Sequence, residues 1–145
     1  MERPISIVWF ERCYLGSLVV SLVATAVQWP ALVEKMSVQM AANPAAAQLG
    51  PSFIPASLGF GIVLVIATSL LLWFFTARKH SVVTKWIITV LFAYNVVMLL
   101  FGFTAHTMPA GLNGILSVVA LVLDGVAVWQ MFKPDARRWF GEIAA

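Results

Sequence analysis

Cysteine is almost missing from this chain of 145 residues, occurring once, at Cys13. A single thiol excludes an intramolecular disulfide, a CxxC redox pair and a cysteine-based zinc site. It also excludes membrane enzymes that pass disulfides to quinones, because they need a cysteine pair. Charge is scarce as well: Asp, Glu, Lys and Arg make up 10% of the residues, against ~25% in a soluble domain. There are two histidines, His80 and His106, and both fall in connectors, so a haem held by two histidines between helices is not supported. No HExxH, GxSxG, P-loop or paired-carboxylate metal motif occurs. These absences leave no nucleophile–base arrangement and no cofactor or metal site, so the chain reads as non-enzymatic.

What is present is apolar, 61% of the residues, gathered in long blocks. A helix rises ~1.5 Å per residue and the hydrocarbon core of a bilayer is ~30 Å thick, so about 20 apolar residues cross it. Four blocks meet that length, at about 5–29, 55–76, 86–104 and 114–132, followed by a tail at 133–145. The expectation is one all-α integral membrane domain, a bundle of four transmembrane helices. The net charge of +3 sits near the ends of the blocks, and it reads as membrane topology rather than as a nucleic-acid surface.

Pro4 suits the first turn of helix one, and Pro30 is expected to stop it. Ala24-Thr25-Ala26 has the form of a signal-peptidase site. The segment before it carries Glu2 and Glu11 and is not clearly basic, so the first helix is expected to be retained. Ser17, Ser21, Ala24, Thr25 and Gln28 recur at spacings of three and four, a small polar face suited to helix packing in lipid. Beyond Pro30, Leu32, Val33, Met36 and Met40 share one face, with Glu34, Lys35 and Gln39 largely elsewhere. This pattern predicts a short amphipathic helix in the first outer connector.

Lysine and arginine set the orientation. Arg3, Arg12, Arg78, Lys79, Lys85, Lys133, Arg137 and Arg138 fall on one side, and Lys35 falls on the other. The positive-inside rule then places both termini in the cytoplasm.

One carboxylate, Asp124, lies deep inside the fourth block. It is nine residues from Lys133, about 13 Å into the membrane, and Asn95 is at nearly the same depth on the third helix. Arg12 can reach that level by snorkelling. Asn113, Ser117, Ala120, Asp124 and Ala127 form a 4-3-4-3 seam that should face the other helices. A charge at such depth needs partners or a function. Two readings stand. In the first, Asp124 is a structural lock paired with Arg12 or Asn95. In the second it is a proton or cation site helped by Ser17, Ser21 and Asn95. A water-accessible cavity reaching Asp124 favours the second, and a dry ion pair favours the first.

Three stretches carry a resemblance. They are Arg3-Pro4 with Phe10-Glu11-Arg12 and Tyr14-Leu15; Arg78-Lys79-His80-Ser81 with Lys85-Trp86; and Pro134-Asp-Ala-Arg-Arg-Trp-Phe140. Together they are similar to uncharacterised small bacterial four-span membrane proteins. The resemblance implies a bacterial inner-membrane location and brings no activity with it. The expected role is therefore an accessory or interaction subunit, with the lipid bilayer as its surroundings and a homo-oligomer or larger membrane complex as its assembly. The alternative is a small proton- or cation-coupled transporter using Asp124.

Overall fold

The computed structural model describes residues 3–42, 50, 52–104 and 111–142. They form four long helices and one short one: α1, Ile5–Ala41; α2, Phe53–Lys79; α3, Val82–Thr104; α4, Leu112–Met131; and α5, Pro134–Trp139. No strand occurs among the described residues. The four long helices are each long and apolar enough to cross a membrane. Helices suit that setting because they satisfy their backbone hydrogen bonds internally.

The first helix departs from the sequence expectation. Pro30 does not stop it, and α1 runs for 37 residues with Pro30 inside. The segment expected as a separate amphipathic helix is the end of α1. There Leu32, Val33, Met36 and Met40 are half-buried, while Glu34, Lys35 and Gln39 are exposed. Proline removes one backbone donor and disfavours a helix interior by ~3 kcal/mol. Good helix formers follow it, however, and the half-buried Met36 lines a cavity together with Ser57 and Leu58 of α2.

Short connections are set by specific residues. α2 ends on His80, which adopts the left-handed conformation with φ 56°, and the Ser81 N–H bonds back to the Phe75 carbonyl at 3.2 Å. Glycine usually holds such a cap. Here the imidazole compensates by stacking on Trp139 with ring centroids 3.8 Å apart, and its Nδ1 lies 2.9 Å from the Trp139 carbonyl oxygen. Ser81 then caps α3 by accepting from the Thr84 N–H at 3.3 Å.

α1 and α4 make the most extensive pairing, and α2 and α3 attach to them over shorter stretches. Small residues permit the approach: Ala24 on α1 and Ala120 and Ala127 on α4 are all buried. The fully packed core lies at the end bearing most of the basic residues. Ile7, Phe10, Cys13, Ala77, Ile88, Ala127, Met131, Ala136 and Phe140 cluster there. Towards the other end the bundle loosens, and side chains such as Val19, Phe60, Val63, Val97, Phe101 and Val122 are exposed, an apolar girdle suited to lipid.

Residues 133–142 of the tail are part of the fold. α1 has no side-chain cap of its own. Asp135 of α5 supplies one from the far end of the chain, accepting from the Ser6 N–H at 3.2 Å and the Ser6 hydroxyl at 2.7 Å. Partial burial pushes the Asp135 pKa up, but the two Ser6 bonds and the N–H groups of Ala136 and Asp135 pull it down further, leaving it below the usual aspartate value. A carboxyl held below its unfolded pKa contributes fully above that value, about 3.9, and the contribution is lost as pH falls through the lower folded value. Asp135→Ala is expected to cost about 1 kcal/mol at neutral pH, the ordinary worth of a helix N-cap. The gap to the parent protein should close on acidification below about pH 4, measured by mixed-micelle unfolding followed by tryptophan fluorescence. A gap that does not change with pH would remove Asp135 from this role.

Candidate functional site

Asp124 lies on the face of α4 turned to α1, half-buried between Ala120 and Ala127. Its carboxyl is in close hydrogen-bond contact with the Ser17 hydroxyl of α1. That same hydroxyl lies 2.9 Å from the carbonyl oxygen of Tyr14 one turn earlier. Ser17 is buried, and its backbone face is fixed by the α1–α4 seam.

A cavity of about 500 Å³ opens beside this pair. All four long helices wall it: Tyr14, Ser17 and Ser21 from α1, Thr68 and Ser69 from α2, Phe92 and Asn95 from α3, and Asp124 from α4. Ile88 and Val128 line its lower part and belong to the tight region at the basic end. The Tyr14 phenol donates to the Ser69 carbonyl at 3.3 Å, tying α1 to α2 across the cavity wall. Tyr94 and Asn95 are exposed at its rim.

A second cavity, of about 360 Å³, lies between α1 and α2 on the side away from the basic end. Leu18, Ser21 and Val65 line both cavities, so the two adjoin. The second extends past Thr25 to Met36 and Ser57, where the extension of α1 beyond Pro30 stands over α2. Asp124 is therefore reached from one side by a mainly apolar recess that carries a few polar groups, while the Phe10–Met131–Phe140 core closes the other.

Of the residues expected at the site, Asp124, Ser17, Ser21 and Asn95 come together around the larger cavity. Arg12 does not. It is exposed, and its guanidinium lies 5.9 Å from the Trp9 ring. Depth allowed the pairing, but direction forbids it: five residues along a helix turn a side chain about 140° away, so Arg12 and Ser17 point to different faces of α1. Asn95 shares the cavity with Asp124, and no hydrogen bond joins them among the described residues. Glu11 pairs with Arg3 at 3.3 Å near the start of α1, away from the cavity. His106 falls outside the described residues.

Tyr14, Thr68, Ser69 and Tyr94 line the cavity and were not singled out by sequence reasoning. The signal existed, since each is a polar side chain inside an apolar span. Thr68-Ser69 and Tyr94-Asn95 are adjacent pairs within their helices. No group of three or more potential metal-ligating side chains occurs among the described residues. Compared with known protein families, curated proteins and solved structures, the chain matches none.

Proposed function

We propose that this protein is a small proton- or cation-coupled transporter of the bacterial inner membrane, with both termini in the cytoplasm and Asp124 as its membrane-embedded carboxylate. The observation that carries this reading is the cavity of about 500 Å³ that reaches Asp124. A carboxylate kept only to lock helix order would be dry and matched to a fixed charge. Asp124 instead has a serine hydroxyl on one side and open, partly polar space on the other. Expensive groups inside a membrane that face a cavity mark ion or substrate routes. The pair of adjoining recesses, closed at the basic end by a packed core, supports a state open away from that end.

Location and orientation rest on the sequence. Eight of the nine lysines and arginines lie on one side of the four spans, and Lys35 lies on the other. The resemblance to small bacterial four-span membrane proteins points the same way. The role is non-enzymatic, and the cavity needs no cofactor for it.

The test is proton flux in reconstituted vesicles, driven by a potassium diffusion potential and read by a trapped pH dye. The parent protein is expected to raise flux above empty vesicles. Asp124→Asn, which keeps the shape and a hydrogen bond to Ser17, should return it to that baseline, a drop of at least tenfold. Flux that survives the substitution, or a parent protein no better than empty vesicles, would end the transport reading.

A further inference from the structure

We infer that the Asp124 cavity takes a small amphiphilic monovalent amine, and that the ammonium and a proton bind at Asp124 in mutual exclusion. The inference rests on the reading above for its site, but binding can be tested without transport.

Charge is the first argument. Among the described residues no lysine, arginine or histidine lines the cavity, and Asp124 is the one carboxylate that does. An anion entering there would find no cation to meet it and one negative group to repel it. A single positive charge is complementary, and beside a half-buried carboxylate the attraction is stronger than in bulk water. A divalent metal fits badly, since calcium takes ~6–8 oxygen ligands and usually several carboxylates.

The hydrogens at Ser17 point the same way. Ser17 has one hydroxyl hydrogen, yet its oxygen is within bonding distance of both the Tyr14 carbonyl and the Asp124 carboxyl. A carbonyl oxygen only accepts. Both bonds therefore form together when the carboxyl brings its own hydrogen: Asp124 donates to Ser17, and Ser17 donates to Tyr14. An ammonium arriving on the cavity side supplies N–H donors to the carboxylate. The carboxyl proton then leaves to solvent, and the Ser17 hydrogen is free to turn to Asp124. One cation enters and one proton departs, so the charge in the recess does not change. That avoids the cost of an extra buried charge.

Shape is the third. About 500 Å³ is far more than an inorganic cation fills and falls in the range of small-molecule sites. Leu64, Leu72, Leu91 and Phe92 offer an apolar wall for a hydrocarbon or aryl tail. Tyr14 and Tyr94 add rings whose faces attract cations. A lipid acyl chain would leave the polar part of the lining unmatched.

The test uses the full chain in lipid nanodiscs and isothermal titration calorimetry with three probes of similar size: 2-phenylethylamine, 2-phenylethanol and 3-phenylpropionate. The amine is expected to bind at least tenfold more tightly than the other two. Titration in buffers of different ionisation heat should show close to one proton released per amine bound. While the proton is displaced, affinity should rise about tenfold per pH unit. Asp124→Asn should lose at least tenfold in amine affinity together with that pH dependence. The proton count is read on the parent protein, so the inference stays testable even if the variant folds poorly. Equal binding of the alcohol or the carboxylate, or amine binding without proton release, would overturn it. Amine binding in a protein that carries no flux would sink the transport reading and leave this inference standing. Proton flux in a protein that ignores the amine would do the reverse.

Discussion

Glu142→Ala is expected to destabilise the protein by about 2–3 kcal/mol, whereas Lys85→Met should cost no more than about 1 kcal/mol, although the two residues form one ion pair. Lys85 is 1% exposed, and its ammonium meets both carboxylate oxygens of Glu142, at 2.9 and 2.8 Å. The rings of Phe132 and Phe140 close around it, with centroids 4.3 and 5.3 Å from Nζ. Removing Glu142 strands a buried ammonium among aromatic rings. Breaking a buried pair in this way commonly costs ~3–5 kcal/mol. The figure here is lower because the Glu142 side chain is 21% exposed, so water can reach part of the vacated space. Removing the lysine charge has a different consequence. Methionine keeps most of the stem volume, and Glu142 can turn to water or to Arg137, whose Nε is already 3.5 Å away. Mixed-micelle unfolding followed by tryptophan fluorescence measures both. The double variant should match Lys85→Met within about 0.5 kcal/mol, because no charge is then left buried. A Lys85→Met protein weaker than Glu142→Ala would refute the argument.

Phe10→Ala should be the most damaging change in the apolar core, at about 2–3 kcal/mol, with Phe10→Leu near about 1 kcal/mol. Phe10 is fully buried at the basic end. In a water-soluble core the alanine change would cost ~3–5 kcal/mol, part of it for transfer from water. With the helices set in lipid, as proposed above, the transfer part shrinks, because lipid is as apolar as the protein interior, and the loss of packing remains. The effect should also reach the cavity. Phe10 stacks on Tyr14, with centroids 5.4 Å apart and planes at 28°, and Tyr14 holds Ser69 across the cavity wall. Loss of Phe10 is therefore expected to weaken amine affinity several-fold, whereas Phe10→Leu should keep most of it. Calorimetry on both variants checks this. An alanine variant that is destabilised but binds normally would separate the core from the site.

The sequence by itself determined the class of this protein and its unusual residue. Block length and composition were enough for four long apolar helices, because the width of a bilayer sets how many apolar residues a span needs. Asp124 stood out for the same reason, as a charge where charge is costly. The seam through Ala120, Asp124 and Ala127 was legible because helical periodicity is local. Tertiary structure alone decided what Asp124 meets. Depth along a helix can be counted from sequence, but the direction of a side chain depends on which faces pack. That is why Arg12, at a plausible depth, points away, while Ser17 meets the carboxyl. The cavity likewise depends on how residues of four helices are brought around one space beside a tightly packed end, which no single helix encodes. Pro30 fell on the same side of this divide: its local signal says stop, yet α1 continues through it to Ala41. The clamp of Lys85 by Glu142 and the cap of α1 by Asp135 join residues far apart in the chain, and only the folded bundle brings those partners together.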